Sequence, residues 1–178
     1  DVCQVTKNFT LEAFVKPDSI SGTRAVMSKL TDAKDKQYSL DTAGSSLAMQ
    51  YEEGGNNGRY SAAAACATGA WHHVAAKMSN SGFLVKFYKN GQEFNGVYSA
   101  SANPVAQVIN SGALAIGRYN HYESNYFDGL MEEARISNVE RSADWMWATA
   151  MTMGSNTQFT SYGRMQLVNP TGTLIMLR

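Results

Sequence analysis

Short runs in which apolar and polar residues alternate with a period of two, broken at intervals of about 8–12 residues, recur along the chain and leave little room for anything but a layered β-protein. In residues 9–15, FTLEAFV, one row holds Phe9, Leu11, Ala13 and Val15 and the other Thr10, Glu12 and Phe14, and Pro17-Asp18 ends the run. AVMSKL (25–30), QYSLDT (37–42) and SLAMQYE (46–52) follow as a meander. WHHVAAKMS (71–79) and FLVKFYKNGQEF (83–94) are further strands, the second folded at Asn90-Gly91, a strong hairpin signal. GALAIGRY (112–119) and FDGLMEEARIS (127–137) complete the main set, and QFTSYG, RMQLV and TGTLIMLR are strand-like pieces near the C-terminus.

EEGGNNGRY reads as a loop from its composition, and SAAAACAT as an edge strand. SADWMWATAM (142–151) is the one expected helix, with Ser142 as its N-cap. These elements predict an all-β, two-sheet antiparallel β-sandwich with one short helix toward the C-terminus, in a chain of 178 residues that forms one domain.

Fifteen basic and fifteen acidic residues cancel, so no basic field points to nucleic acid or to an anionic membrane, and a neutral partner is expected. No apolar run approaches the ~18 residues of a membrane span. No basic-then-apolar leader precedes Asp1, which is expected of a mature start, and the Gly-, Ser-, Asn- and Tyr-rich composition points to an extracellular or cell-surface protein. In an oxidising compartment Cys3 and Cys66 could close a loop of about sixty residues, worth roughly 4 kcal/mol; two free thiols are the alternative.

GRYNHYESNYF (117–127) is the densest aromatic and polar cluster. Sugars offer apolar C–H faces beside hydroxyls, so a sugar site wants flat rings next to amide and charged groups. Arg118, Tyr119, Asn120, His121, Tyr122 and Tyr126 are the candidate ligand-binding residues, in a loop expected at the sandwich rim. A weaker candidate is QYEEGGNNGRY (50–60), with Tyr51, Asn56, Asn57 and Arg59. His72 and His73 are adjacent on a strand, face opposite ways and cannot form a metal pair; Trp71 beside them is expected in the core.

The order FTLEAFVKP, YSL, WHHVA, KFYKNGQ, LAIGR and FDGLMEEARISNVERSADW resembles the laminin G-like, concanavalin A-like family of jelly-roll domains, from about Phe9 to Trp145. The resemblance implies a jelly roll of the kind found in bacterial carbohydrate-binding and adhesion modules. It departs from the family in two places. Members usually carry further strands ahead of FTLEAFV, where this chain has eight residues, and the chain runs on past Tyr162-Gly163. We therefore divide it into a sandwich over 1–163 and a strand-like extension over 164–178, which completes this sandwich or a neighbour's.

Charges within FDGLMEEARIS bear on function. Strand alternation sets Glu132 and Glu133 on opposite faces, and the related glycanases place acidic residues at alternate positions, which here would require one at 131 or 134, where Met131 and Ala134 stand. A non-enzymatic domain is therefore expected. Glu133 and Arg135 share a face and should pair. Glu132 shares parity with Leu130, Ala134 and Ile136, read as core-facing, and the family implies an acidic residue near a structural calcium there; a hydrogen-bonded carboxylate is the alternative, and no cofactor is required. The expected function is a non-catalytic, extracellular carbohydrate-binding or adhesion domain whose partner is a polysaccharide or glycan. The alternative is a structural subunit of a filament or surface assembly, joined to copies of itself or to a host surface protein through Trp147, Leu174, Ile175, Met176 and Leu177.

Overall fold

The computed structural model describes residues 3–5, 8–31, 36–53, 56–79, 84–98, 109–121 and 124–154. They form two antiparallel sheets and one helix. The first sheet has five strands in the order β11-β1-β6-β7-β8, from β1 (Phe9–Pro17), β6 (His72–Ser79), β7 (Leu84–Lys89), β8 (Gln92–Asn95) and β11 (Gly129–Ser137). The second has six in the order β10-β2-β3-β4-β5-β9, from β2 (Thr23–Leu30), β3 (Lys36–Ala43), β4 (Ser46–Glu53), β5 (Asn56–Ala62), β9 (Val97–Tyr98) and β10 (Leu114–Ile116). The predicted two-sheet sandwich with one helix is the observed fold. The pieces QFTSYG, RMQLV and TGTLIMLR, and so the 164–178 extension, lie outside the described residues.

The alternation rule places the core. Phe9, Leu11, Ala13 and Val15 of β1 face inward with Val74, Ala76 and Met78 of β6 and Val85 and Phe87 of β7. They meet Val26, Tyr38, Leu40, Leu47, Met49, Tyr51 and Tyr60 of the other sheet. Each large side chain so buried contributes about 1.5–3 kcal/mol of transfer free energy. The second row of β1 is buried as well, because helix α1 (Ala143–Gly154) packs on the outer face of the five-stranded sheet, where Met146 meets Ala75 and Tyr88. That explains a strand whose two faces both exclude water.

Local signals hold at the turn and the cap. Asn90 and Gly91 both take positive φ, 52° and 81°, as a two-residue hairpin between Lys89 and Gln92 demands. The Ser142 hydroxyl accepts the Trp145 amide at 3.1 Å, capping the helix as expected. EEGGNNGRY is not a loop. Its asparagines, glycine and tyrosine belong to β5, paired with β4 along its full length. SAAAACAT departs in the other direction, since β5 ends at Ala62 and the following residues have no regular strand pairing. Period two nevertheless persists there, with Ala62, Ala64 and Cys66 buried and Ala63 and Ala65 exposed.

β11 differs most from its reading. Val15 pairs with Met131 and Leu11 with Ile136, so both Met131 and Ile136 pack on the core although they are five residues apart. A β-bulge reconciles them. Glu12 pairs with Arg135 and Phe14 with Glu132, which leaves Glu133 and Ala134 opposite Ala13, and Glu133 takes φ 52°. Leu130 and Ala134 are therefore exposed rather than core-facing, and Glu132 stands in the open on the outer face beside Phe14. Among the described residues β11 stands at the end of its sheet, and a bulge with charged side chains is one way an edge strand discourages pairing with another chain.

Gly129 begins this strand at φ 141°, where an added Cβ would collide with the Lys16 carbonyl and lie 2.8 Å from Pro17 Cα. Gly129→Ala is expected to cost about 1–3 kcal/mol, measured by urea unfolding; unchanged stability would refute the close approach.

Candidate functional site

The segment 117–127 leaves β10 and crosses the outer face of the six-stranded sheet, tied at many points to β2. The Gly117 amide donates to Val26 O at 3.0 Å, the Ala25 amide to Asn125 O at 2.8 Å, and the Phe127 amide to Gly117 O at 2.8 Å. Side chains add to this. Ser28 Oγ donates to Arg118 O at 2.9 Å, Asn120 Nδ2 to Leu30 O at 2.9 Å, Asn125 Nδ2 to Thr23 O at 3.1 Å, and Arg24 Nη1 to Tyr126 O at 3.3 Å.

Tyr119 is the anchor. Its ring is only 7% exposed and packs with Ala25 and Leu30, and its hydroxyl donates to Asp41 Oδ2 at 3.0 Å. Ser39 Oγ reaches the same oxygen at 2.8 Å, and Gln50 Nε2 bridges it and the Tyr119 hydroxyl at 3.3 and 3.1 Å. Asp41 is wholly buried. A buried carboxylate must be met by donors, and here the donors come from two strands and the crossing loop. Tyr119 thus holds the loop to the sheet and presents no face to a ligand. Arg118 and Asn120 are half-buried, His121 is exposed, and Tyr126 keeps 51% of its surface open. Tyr122 lies outside the described residues. Asp41, Gln50 and Ser39 were missed by the sequence reading; their only signal was a polar row on β3 and β4.

These features, a two-sheet sandwich carrying a tyrosine-bearing loop on one sheet, can be set beside known proteins. Residues 1–146 match the family model described as the concanavalin A-like lectin/glucanases superfamily. The chain belongs to that superfamily. No curated protein matches the sequence. Among solved structures, the carbohydrate-binding module CBM40 of the Ruminococcus gnavus IT-sialidase, bound to α2,3-sialyllactose, shares the fold with a TM-score of 0.67 at 14% identity, over 82% of this chain and 84% of that one. The heptameric SAP-like pentraxin of Limulus polyphemus does so with a TM-score of 0.59 at 16% identity, over 82% and 70%. A candidate carbohydrate binding protein from Bacteroides ovatus aligns with a TM-score of 0.63 at 22% identity; it covers 83% of this chain, which spans 42% of that protein's length.

Other sequence candidates take definite places in this superfamily fold. His73 Nε2 lies 3.2 Å from Glu12 Oε2, both buried beneath α1, with Phe14 tilted against the imidazole at a centroid distance of 5.1 Å. Trp145 Nε1 donates to Glu12 Oε1 at 3.4 Å, and Arg135 Nη1 approaches the same oxygen at 3.9 Å. His72 Nε2 accepts the Ala67 amide at 3.0 Å. Each histidine thus has a partner on the strand side it faces, although His73 Nδ1 is buried without a hydrogen bond among the described residues. Trp71 is 39% exposed, a departure from the expected core position, because it precedes β6 and lies at the margin of the sheet. Tyr51 is fully buried and stacks near Tyr60, so it takes no part in a surface site; the side chains of Asn56, Asn57 and Arg59 lie outside the described part.

Cys3 and Cys66 are not joined in a disulfide. They have different surroundings: Tyr38 donates to the Cys3 carbonyl, whereas Cys66 is in the core near Lys89, and burial pushes its thiol up to about 11. Glu133 pairs with Arg135 at 2.6 Å, as the shared face predicted. Glu132 and Glu133 are both exposed, Glu133 in its pair with Arg135, whereas Glu12 is buried against His73. Among the described residues no three His, Cys, Asp or Glu side chains converge to hold a metal ion, and Glu132 is exposed. No described helix is long and apolar enough to cross a membrane. Trp147 is exposed on α1, and Leu174, Ile175, Met176 and Leu177 lie outside the described residues.

Proposed function

We propose that this domain is a non-catalytic extracellular carbohydrate-binding module that receives a polysaccharide or glycan on the 117–127 loop. Tyr126 supplies the stacking ring, and His121 and Arg118 supply hydrogen bonds. The observation that carries this reading is the combination of an open tyrosine with a loop clamped from below by Asp41, Tyr119 and Gln50. A platform already ordered loses little entropy when a sugar stacks on it. The superfamily match and the sialyllactose-bound module of the same fold support the ligand class. The neutral net charge accords with a neutral glycan.

The test is a glycan array followed by calorimetry on the ligands it selects. Tyr126→Ala is expected to weaken binding by roughly tenfold without lowering the melting temperature, because the ring is exposed and its loss removes one stacking contact. A wild-type domain that binds no glycan, or a Tyr126→Ala protein that binds as well as wild type, would refute the reading.

A further inference from the structure

On the other sheet, away from the tyrosine loop, the C-terminal end of α1 leaves two adjoining cavities over β1 and β11. One, of about 170 Å³, is lined by Phe14, Trp71, Glu132, Met153 and Gly154. The second, of about 120 Å³, shares Phe14, Trp71 and Gly154 and extends to Asn90 and Met151. The walls are two aromatic rings and two thioethers. Asn90 contributes little free polarity, since its side chain already accepts the His73 amide at 3.0 Å and meets His72 Nδ1 at 3.4 Å.

Among the described residues Glu132 is the single charge in the lining. It makes no hydrogen bond or ion pair with the described residues, and Arg135, three residues along the strand, is committed to Glu133 and Glu12. Among the described residues no Lys or Arg lines either cavity. The bulge causes this arrangement: it turns Glu132 to the same side as Phe14, where it meets Trp71, while the paired glutamate next to it absorbs the local arginine.

We propose that this cavity is a binding site for a small alkylammonium group. Aromatic faces attract a cation through their quadrupoles, methyl or methylene groups on the nitrogen fill the apolar walls beside Met153, and the unpaired Glu132 carboxylate supplies the counter-charge. An anion would meet Glu132 with like charge. A sugar ring would find one acceptor and few donors.

The probe is tetramethylammonium chloride, followed by the indole N–H signals of the full chain in two-dimensional NMR at constant ionic strength with sodium chloride. The neutral isostere tert-butyl alcohol is titrated in parallel. Expected is a saturable shift of the Trp71 signal with tetramethylammonium, and about five- to tenfold weaker binding of the neutral isostere. Glu132→Gln should weaken the cation by a similar factor and leave the alcohol unaffected, and Trp71→Ala should abolish binding of both. The melting temperature of each variant shows that it is folded. No saturable shift, equal binding of cation and isostere, or an unchanged affinity in Glu132→Gln would each overturn the proposal. None of these outcomes depends on glycan binding at Tyr126.

Discussion

Replacing Glu12 by Ala is expected to lower the unfolding free energy by about 3 kcal/mol, since each buried group left without its hydrogen-bond partner costs about 1–3 kcal/mol. The change leaves His73 Nε2 and the Trp145 indole without their shared acceptor beneath α1. For a domain of this size each kcal/mol moves the melting midpoint by about 2–4 °C, so the variant should melt on the order of 10 °C lower. Glu12→Gln, which keeps the shape and one acceptor, should lose less. A Glu12→Ala protein that melts with wild type would show that the pair does not hold the helix down.

The same pair sets the acid limit of the fold. Burial alone would raise the Glu12 carboxyl, but the hydrogen bond and charge of His73, the Trp145 indole and Arg135 outweigh it and hold the group below its ordinary 4.5. A carboxyl lowered in the folded state contributes stability that is complete above 4.5 and is lost as pH falls through the lowered value. His72 acts in the same sense at higher pH. Its burial holds the imidazole below its ordinary 6.5, so its contribution is present above 6.5 and disappears as pH falls to the folded value. Denaturant midpoints measured against pH should thus decline from about 6.5 and again below 4.5 in wild type. Glu12→Ala should shrink the second decline, to which Glu93 also contributes, and leave the first unchanged.

Asp41→Ala is the second large effect, and it links stability to binding. Asp41 is buried and receives hydrogen bonds from Ser39, Gln50 and Tyr119, so its removal strands three donors at a cost of about 3 kcal/mol or more. The loop above should loosen, seen as faster hydrogen exchange at the amides of Gly117, Tyr119 and Phe127. Glycan affinity should fall although Asp41 lies beneath the loop and is wholly buried. A variant that is destabilised yet binds glycan normally would separate the anchor from the site.

Much of this architecture was legible in the residues. The Asn90-Gly91 turn, the Ser142 cap and the two rows of β1 each obey a local rule, and local rules survive folding when nothing opposes them. The misreadings have physical causes. NNGRY looks like a loop because Asn and Gly are poor strand formers, yet pairing along its full length with β4 overrides propensity. The parity of β11 fails at Glu133, because a bulge inserts one residue into a period of two without any composition mark such as glycine. In the loop, Tyr119 and Tyr126 are equivalent by composition. Only the buried Asp41, 78 residues away in sequence, distinguishes the anchor from the exposed ring.

The position of β1 also has a consequence in time. It lies between β6 and β11, yet it is synthesised before either, and β11 begins 120 residues after Phe9. At about 5–20 residues per second, the ribosome delivers the second partner on the order of ten seconds after the first strand emerges. Through that interval the row of Phe9, Leu11, Ala13 and Val15 has no finished sheet to enter. Helix α1, which seals the other row, is made later still. The strand that is the most enclosed in the folded domain is thus the one that waits longest for both of its neighbours as the domain is synthesised.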